Sequence, residues 1–220
     1  MPQKAHIELR QTADGSSTLF STQYNSCYHS THGALQESVH VFIENGLNGF
    51  KNRNAIQILE IGIGTGLNAL LTMEWCNRYK IKAIYIGYDP QPLDEELYNQ
   101  LHFNDALNPW IEPFHRADWH TQVSFGPYFT FEKRRTPWPD SSNLNRFDLV
   151  YFDAFGPDAQ PEMWEPQVLS ACVEAMNQHA VWVTYSSKGS VRRYLEGLGL
   201  SMEKLPGPPF KRHMLRGIKQ

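Results

Sequence analysis

The sequence has few cysteines and no long apolar run, and each shortage excludes a class of protein. The three cysteines, Cys27, Cys76 and Cys172, lie far apart in 220 residues, so neither a disulfide framework nor a metal site is predicted. No stretch approaches the length of a membrane span, and the N-terminal segment lacks the apolar core of a signal peptide. The sequence therefore predicts a cytoplasmic protein without membrane association.

Positive charge is also scarce overall, although it is concentrated at one end. The formal net charge is −3, but eight Lys and Arg residues from Lys188 onward face only Glu196 and Glu203, so this segment carries +6 and residues 1–187 carry −9. A basic segment on an acidic body can attract a phosphate backbone. A solvated surface remains the alternative on charge alone.

The length suits one sizeable core with an appendage. We predict an N-terminal extension, residues 1–50, and a main domain, residues 51–220. In the extension, Asp14-Gly15 lies between two short alternating segments, which predicts a β-hairpin. A polar segment follows, and the apolar periodicity after it predicts a helix from Ala34 to Leu47.

The main domain is organised around Gln57 to Asn68, which reads QILEIGIGTGLN. An apolar strand, a glycine turn and a helix in this order suit a nucleotide-type cofactor, because glycine lets the main chain approach a ligand closely. A dinucleotide fingerprint would place a glycine three residues after Gly64, where this chain has Leu67. The E-x-G-x-G-x-G pattern from Glu60 to Gly66 instead resembles motif I of class I S-adenosylmethionine-dependent methyltransferases.

Asp89 supports this interpretation, because it ends the next apolar strand about twenty residues after the glycine turn, where such folds hold a ribose. A helix is predicted next, from Pro92 to Leu101, whereas residues 104–146 favour strands and loops over long helices. The alternation of strands and helices predicts a doubly wound, mostly parallel sheet with an antiparallel C-terminal strand. Its ligand should lie beyond the carboxyl ends of the strands.

Asp153 is the sharpest candidate for chemistry. It follows the apolar strand FDLVYF and precedes Ala-Phe-Gly-Pro, which places a carboxylate beside an aromatic ring at a strand end. Methyl transfer is an in-line displacement in which the enzyme aligns the two reactants, and a carboxylate can orient an amine and help to remove its proton. A role for Asp153 as the cap of a turn or helix remains open at this point.

The segment Asp153 to Trp164, DAFGPDAQPEMW, resembles the D-G-F-A-P-x-x-N-P-x-M-W signature of the tRNA 5-methylaminomethyl-2-thiouridine methyltransferases of the MnmC/MnmD type. Further matches lie at residues 28–42, 187–195 and 207–217. The resemblance implies a Rossmann-like class I methyltransferase that uses S-adenosyl-L-methionine, releases S-adenosylhomocysteine and methylates the 5-aminomethyl group of a wobble (2-thio)uridine in tRNA. Some relatives continue into a flavin oxidoreductase domain, whereas we expect none here, because the chain resembles the stand-alone form.

The resemblance also implies roles for individual residues. It places the following residues around the donor: Glu60, Gly62, Gly64, Gly66, Asn68, Asp89, Glu37 and Ser38. It assigns the chemistry to Asp153 and the shape of the pocket to Phe155. It implies contacts with the substrate from Tyr28, His29 and Gln36, and with the tRNA backbone from Lys188, Arg192, Arg193, Lys211 and Arg212. His29 is equally well explained as a hydrogen-bonded loop residue.

The chain departs from the family pattern at three places. Residues 129–140, FTFEKRRTPWPD, lack the Gly-Asp whose acid meets the adenine amino group in relatives, which leaves Glu132, Asp140 or backbone groups for that role. His213 replaces a usual Glu, and Lys188 replaces a usual Ala. Two alternatives therefore stay open: a methyl or aminopropyl transferase acting on a small amine, and a tRNA-binding protein with a vestigial cofactor pocket.

Overall fold

The computed structural model describes residues 6–141 and 145–220. Residues 1–5 of the predicted N-terminal extension, and residues 142–144 of the segment from 104 to 146, lie outside the described residues. The extension begins with a small antiparallel sheet of β1 (Ile7–Gln11), β2 (Ser17–Ser21) and β3 (Ser26–Cys27). In the first turn Asp14 accepts hydrogen bonds from the Thr12 hydroxyl at 2.6 Å and from the Ser16 amide at 3.1 Å. The predicted hairpin is confirmed.

The helix predicted from Ala34 to Leu47 has three parts. α1 (Ala34–Ser38) continues into a π-helical segment, Val39–Glu44, and a 3-10 turn follows at Leu47–Phe50. The π-helical segment ends where Asn45 donates two hydrogen bonds to the His40 carbonyl, from its amide at 3.3 Å and from its side chain at 2.7 Å. Phe42 is buried in the same core cluster as Ile58 of the main sheet, so this segment packs directly on the sheet.

The main sheet has eight strands and follows the predicted doubly wound pattern. Its strands are β4 (Ala55–Ile61), β5 (Lys82–Tyr88), β6 (Gln122–Ser124), β7 (Phe129–Arg134), β8 (Phe147–Phe152), β9 (Met176–Thr184), β10 (Leu200–Pro206) and β11 (His213–Lys219). Their order is β10-β11-β9-β8-β4-β5-β7-β6. β7, β5, β4, β8 and β9 are parallel, whereas β11 pairs antiparallel with β9 and β10. The mostly parallel sheet with an antiparallel C-terminal strand is therefore confirmed.

Helices cover both faces of the sheet. They are α2 (Leu67–Tyr79), α3 (Glu95–Tyr98), α4 (Asn108–Arg116), α5 (Pro166–Ala175) and α6 (Gly189–Gly197), with a 3-10 turn at Pro161–Trp164. Successive residues of a strand point to opposite faces. Accordingly Ile58 packs in the cluster that contains residues of α2 and α4, whereas Leu59 packs with residues of α5 and α6. Within the described ranges no helix is long and apolar enough to cross a membrane.

Two predicted elements differ from the structure. The helix predicted from Pro92 to Leu101 is limited to α3, because the chain leaves β5 in a turn where Asp89 accepts the Gln91 amide at 2.8 Å and Asp94 is still extended at ψ 151°. Residues 108–116 form α4, which the sequence did not indicate because Pro109 and Pro113 interrupt its pattern. Pro109 lies at the first turn, where a missing amide hydrogen costs no helical bond.

Candidate active site

The glycine turn between β4 and α2 has a backbone that only glycine adopts readily. Gly62, Gly64 and Gly66 have φ values of +92°, +51° and +77°. A Cβ atom on Gly62 would lie 2.8 Å from the carbonyl oxygen of Asp153, and one on Gly64 would lie 2.9 Å from the Tyr28 ring. The glycines therefore allow the turn to pass close to the end of β8 and to the N-terminal extension.

Two histidines hold Thr65 at the centre of this turn. His29 Nε2 lies 2.9 Å from the Thr65 hydroxyl, and His115 Nε2 lies 3.0 Å from the Thr65 carbonyl oxygen. Burial lowers the pKa of each imidazole to about 4, so both rings are neutral near pH 7. The predicted substrate residue His29 thus has a structural contact with the turn and also lines the adjoining pocket.

A buried lysine fixes α4 beneath the glycine turn. Lys133 Nζ donates hydrogen bonds of 2.7 Å each to the Phe114 and His115 carbonyl oxygens at the end of α4. Phe114 in turn packs so closely on Gly66 that a Cβ there would lie 2.5 Å from the ring. Lysine at a helix C-terminus satisfies carbonyls that lack partners within the helix. Because of these contacts, Gly66 faces α4 rather than the pocket.

Asp89 lies at the carboxyl end of β5, facing the glycine turn. Its two carboxylate oxygens accept the Gly64 amide at 2.9 Å and the Gln91 amide at 2.8 Å. Burial raises its pKa to about 6, and these two hydrogen bonds oppose the rise. A carboxylate has room for further donors, so Asp89 can also accept hydroxyl groups from a ligand in the pocket.

A single amide contacts two carboxyl groups, one within β4 and one directly after the neighbouring strand β8. Asn68 Nδ2, on α2, donates to Glu60 Oε1 at 2.9 Å and to Asp153 Oδ2 at 2.8 Å. Burial raises the pKa of Glu60 to about 8, and the hydrogen bond from Asn68 opposes this rise. The pKa of Asp153 lies well above its usual range, first because of burial and then because of the charges of Glu60 and Glu37. The pair therefore has a strong affinity for protons.

An ion pair connects the N-terminal extension with the C-terminal strands beside Asp153. Glu37 is buried, accepts the Ser30 amide at 2.5 Å and bonds the ammonium group of Lys211. The same ammonium lies 4.3 Å from the centroid of the Tyr185 ring. Lys211 lowers the pKa of Asp153, whereas Glu37 raises it. The two side chains therefore act in opposite directions on the carboxyl group at the end of β8.

Three aromatic rings form a wall of the pocket next to Asp153. Phe155 stacks on Tyr24 with ring centroids 4.5 Å apart and meets Tyr28 edge-on at 4.9 Å. Gln160 joins the wall, since it accepts the Phe155 amide at 3.3 Å and donates to the Tyr24 hydroxyl at 3.3 Å. Trp164 also donates to the Phe155 carbonyl oxygen at 2.7 Å. The wall therefore depends on contacts between the extension and the DAFGPDAQPEMW segment.

One pocket gathers much of the predicted site. Of the predicted residues it is lined by Tyr28, His29, Gly62, Gly64, Asp89, Asp153 and Phe155. Lining residues that the sequence did not indicate include Tyr24, Gln91, Trp138, Gln160 and Met163. Glu60 and Asn68 lie behind Asp153. Gln36 is exposed near Pro208 and Pro209, and Ser38 is fully buried, so neither lines this pocket.

The two candidates for the missing adenine-binding acid are held by an arginine. Arg134 lies 2.7 Å from Glu132 and 3.4 Å from Asp140, and the Tyr88 hydroxyl donates to Asp140 at 3.1 Å. Neither carboxylate is among the residues that line the pocket, whereas Trp138 of the same segment is. These contacts give both acids a role in fixing the end of β7.

The basic residues that were predicted to contact the tRNA backbone differ in whether they form ion pairs within the protein. Lys188 pairs with Asp158 at 2.6 Å, Arg192 pairs with Glu196 at 3.5 Å, and Lys211 pairs with Glu37. Arg193 and Arg212 are exposed, and among residues 6–141 and 145–220 neither forms an ion pair. These two guanidinium groups are therefore the predicted basic residues most available to an outside anion.

Comparisons with known proteins agree with this geometry. A family model described as S-adenosyl-L-methionine-dependent methyltransferase matches residues 133–220. The bifunctional protein MnmC for tRNA 5-methylaminomethyl-2-thiouridine biosynthesis from Burkholderia multivorans is 29% identical over 225 residues, which are 91% of this chain and 33% of that protein. Its counterpart from Chromohalobacter salexigens is 28% identical over 231 residues, which are 96% of this chain and 32% of that protein. The chain thus spans about a third of the length of these relatives.

Solved structures confirm the predicted fold. The crystal structure of MNMC2 from Aquifex aeolicus superposes with a TM-score of 0.84 at 27% identity, and the match covers 98% of this chain and 71% of that one. Streptomyces venezuelae DesVI superposes with a TM-score of 0.51 at 10% identity, over 84% of this chain and 92% of that one, and shows the fold alone. Together the sequence and structure matches confirm the resemblance to the methyltransferase part of the MnmC proteins.

Proposed function

We propose that this chain, an S-adenosylmethionine-dependent methyltransferase by family description and fold, methylates the 5-aminomethyl nitrogen of a wobble uridine in tRNA. Similarity to the MnmC proteins across more than nine tenths of the chain supports the substrate class. The observation that carries the proposal is Asp153, a carboxyl group with strong proton affinity at the pocket wall. Such a group suits an acceptor that must be held as a cation and then lose a proton.

The pocket fits S-adenosylmethionine in shape and in donor groups. Gly62 and Gly64 expose main chain where any Cβ would collide with its neighbours, so a ligand can lie directly against the turn. Asp89 offers carboxylate oxygens beside that main chain, as a pair of ribose hydroxyls requires. Trp138 and Pro137 supply apolar surface for a base in place of an adenine-binding acid. When bound, the donor supplies an electrophilic methyl group.

Asp153 would then orient the acceptor. The 5-aminomethyl group is a cation near neutral pH, and a buried carboxylate is a favourable counter-ion for it. Asn68 fixes the position of Asp153 Oδ2 through its hydrogen bond of 2.8 Å. Phe155 and Tyr28 close one side of the pocket, which excludes water from the reacting groups.

Proton movement follows from the raised pKa of Asp153. The amine must lose one proton so that its lone pair can form the new N–C bond, while the electrons of the broken C–S bond remain on sulfur. A carboxylate whose pKa is raised is a stronger base than an exposed one, and it can accept that proton. Glu60, joined to Asp153 through Asn68, raises the pKa further.

The proposed RNA substrate is supported by the exposed side chains of Arg193 and Arg212 near the strand ends. Guanidinium groups pair well with phosphate oxygens. A small amine would need no such contacts, and the similarity to the MnmC proteins likewise does not favour it.

A transfer assay tests the proposal. The protein is incubated with S-adenosylmethionine labelled in the methyl group and with tRNA that carries 5-aminomethyluridine at the wobble position, and the digested nucleosides are separated. We expect label in 5-methylaminomethyluridine and none with tRNA that carries unmodified uridine there. Donor binding is measured in parallel by calorimetry. Donor binding without label at the wobble position would overturn the assigned substrate.

A further inference from the structure

An aromatic ring with unusual exposure lies in the turn between β10 and β11. Phe210 is 79% exposed, whereas the other exposed large hydrophobic side chains range from 36% to 40%. Its backbone has a φ of +69°, a left-handed conformation that residues other than glycine adopt rarely. Because the Phe210 ring is mostly exposed, it contributes little buried apolar surface to the stability of the fold. Its left-handed backbone conformation, in contrast, costs conformational energy. The position is therefore better explained by a partner than by folding.

The turn that carries Phe210 is held firmly at its base. The Gly207 amide donates to the Arg212 carbonyl oxygen at 3.1 Å, and the Lys211 amide donates to the Pro208 carbonyl oxygen at 2.9 Å. A Cβ on Gly207 would lie 2.4 Å from the Lys211 carbonyl oxygen, so the turn is as tight as a glycine permits. The ring is thus presented on an ordered turn.

His32 of the N-terminal extension supports the ring from one side. The His32 and Phe210 rings are stacked, with centroids 4.0 Å apart and planes inclined by 25°. Both side chains come from residues that are exposed. The two rings are nearly parallel, and most of the Phe210 ring is still exposed. A further planar group can therefore stack on the exposed part of Phe210.

The stack is linked to the candidate active site through Lys211. Lys211, the residue after Phe210, bonds Glu37 and lies over the Tyr185 ring, and it lowers the pKa of Asp153. Arg212, the following residue, is exposed. A ligand that stacked on Phe210 would therefore have the Arg212 guanidinium group close by in the chain, and Lys211 connects the same turn with Asp153.

We propose that Phe210 and His32 form a stacking platform for an unpaired nucleobase adjacent to the target nucleotide of the RNA substrate. The inference rests on the proposed function. Sequence-specific proteins for RNA read bases that are splayed out of loops, and aromatic side chains receive such bases by stacking. Arg212 pairs with a phosphate next to the stacked base.

Binding of a hairpin RNA separates stacking from charge. The probe is an RNA hairpin whose loop contains the target uridine, and its affinity is measured by fluorescence anisotropy at several salt concentrations without the donor. Phe210→Ala should weaken binding by about fivefold to a hundredfold, the loss that removal of a base-stacking ring causes. The salt dependence should stay unchanged, because no phosphate contact is lost. Phe210→Trp should restore the affinity.

Two further variants serve as controls. Arg212→Ala should weaken binding and also flatten the salt dependence, since it removes a phosphate contact. Tyr79→Ala removes an aromatic ring that is 38% exposed at the C-terminal end of α2, and RNA binding should not change. Equal thermal midpoints for Phe210→Ala and Phe210→Trp would show that both fold alike.

The outcomes are distinguishable. Wild-type affinity for the hairpin in Phe210→Ala would overturn the platform. Self-association of both proteins is measured by analytical ultracentrifugation. If the wild type associates with itself and Phe210→Ala does not, the ring belongs to a contact between copies of the chain, and this result would also overturn the platform. Transfer to tRNA by the wild type is measured beside binding. If the wild type binds the hairpin through Phe210 but transfers no methyl group, the proposed reaction fails while the platform stands.

Discussion

Asn68 donates hydrogen bonds from one amide nitrogen to both Glu60 and Asp153, at 2.9 Å and 2.8 Å. Glu60 lies in β4 and Asp153 directly follows the adjacent strand β8, and the amide comes from the first turn of α2. The charge of Glu60 raises the pKa of Asp153, and Asn68 contacts both carboxyl groups. A helix residue thus connects the glycine motif with the proposed catalytic residue.

Asn68→Ala should lower kcat/KM for methyl transfer by about tenfold to a hundredfold, the usual effect of losing a hydrogen bond to a charged group. Asp153 would lose its orientation, whereas Asp89 and the glycine turn would keep their contacts. We expect the donor Kd, measured by calorimetry, to change much less than kcat/KM. An equal loss in both would assign Asn68 to donor binding alone.

Asp153→Asn should reduce transfer by at least about a hundredfold, because the amide can neither pair with the acceptor cation nor accept its proton. Single-turnover assays with saturating donor measure this step. Asp158→Asn is the matched control, since Asp158 lies in the same segment but is exposed and pairs with Lys188. Comparable activity in the two variants would refute the role of Asp153.

Glu37 and Lys211 should shift the pH dependence of transfer in opposite directions. Lys211 lowers the pKa of Asp153, so Lys211→Met should raise that pKa and move the acidic limb of the kcat profile to higher pH. Glu37 raises the pKa of Asp153, so Glu37→Gln should move the same limb to lower pH. Measuring kcat at saturating tRNA separates these shifts from weaker binding. Shifts in the same direction would contradict the electrostatic explanation.

Glu60→Gln should make the fold less sensitive to pH. The pKa of Glu60 is raised in the folded chain from 4.5 to about 8, so its contribution to stability is fully present below the lower value and is lost as pH rises through the upper one. Because each pKa unit corresponds to about 1.4 kcal/mol, the variant should gain unfolding free energy relative to the wild type toward alkaline pH. Urea denaturation across this range measures the difference. Glu74→Gln, on the exposed side of α2, should leave the wild-type dependence unchanged.

Gly66→Ala should destabilise the fold by about 1–3 kcal/mol and weaken donor binding. Gly66 has a φ of +77°, and a methyl group there would lie 2.5 Å from the buried Phe114 ring. Gly197→Ala is the contrasting variant, because nothing lies within 4 Å of its Cβ position at the end of α6, and it should stabilise by up to about 1 kcal/mol. Urea denaturation measures both effects: the midpoint should fall for Gly66→Ala and rise for Gly197→Ala, while the dependence of the unfolding free energy on urea concentration stays unchanged.

Local pattern was sufficient to predict most of the sheet. β4 and β8 begin and end where their apolar runs do, because central parallel strands are buried on both faces and contain few polar residues. The polar exception in β8, Asp148, accepts the Gln57 amide at 2.9 Å and the Asn177 side chain at 2.9 Å. α4 was not predicted, since its stability comes from the packing of Ile111 and Phe114 rather than from its own sequence.

The parts of the site that escaped prediction depend on contacts between distant residues. Glu37 and Lys211 are 174 positions apart, and Gln160 and Tyr24 are 136 apart. No periodicity or spacing in the sequence connects such pairs, because the fold brings them together only after the extension packs on the sheet. Glu60, Gly64 and Asp89, in contrast, occur at spacings that one strand, turn and helix unit fixes locally.

The two histidines that contact Thr65 of the glycine turn stay neutral over the pH range in which the carboxyl groups titrate. Neither imidazole takes up a proton above about pH 5. The two histidine contacts with Thr65 can therefore persist while Glu60 and Asp153 change charge, whereas Asp89 acts on the turn through its hydrogen bond with the Gly64 amide. The affinity for the donor should consequently depend on pH through the Asp89 carboxyl group, and the reaction rate through the Asp153 carboxyl group.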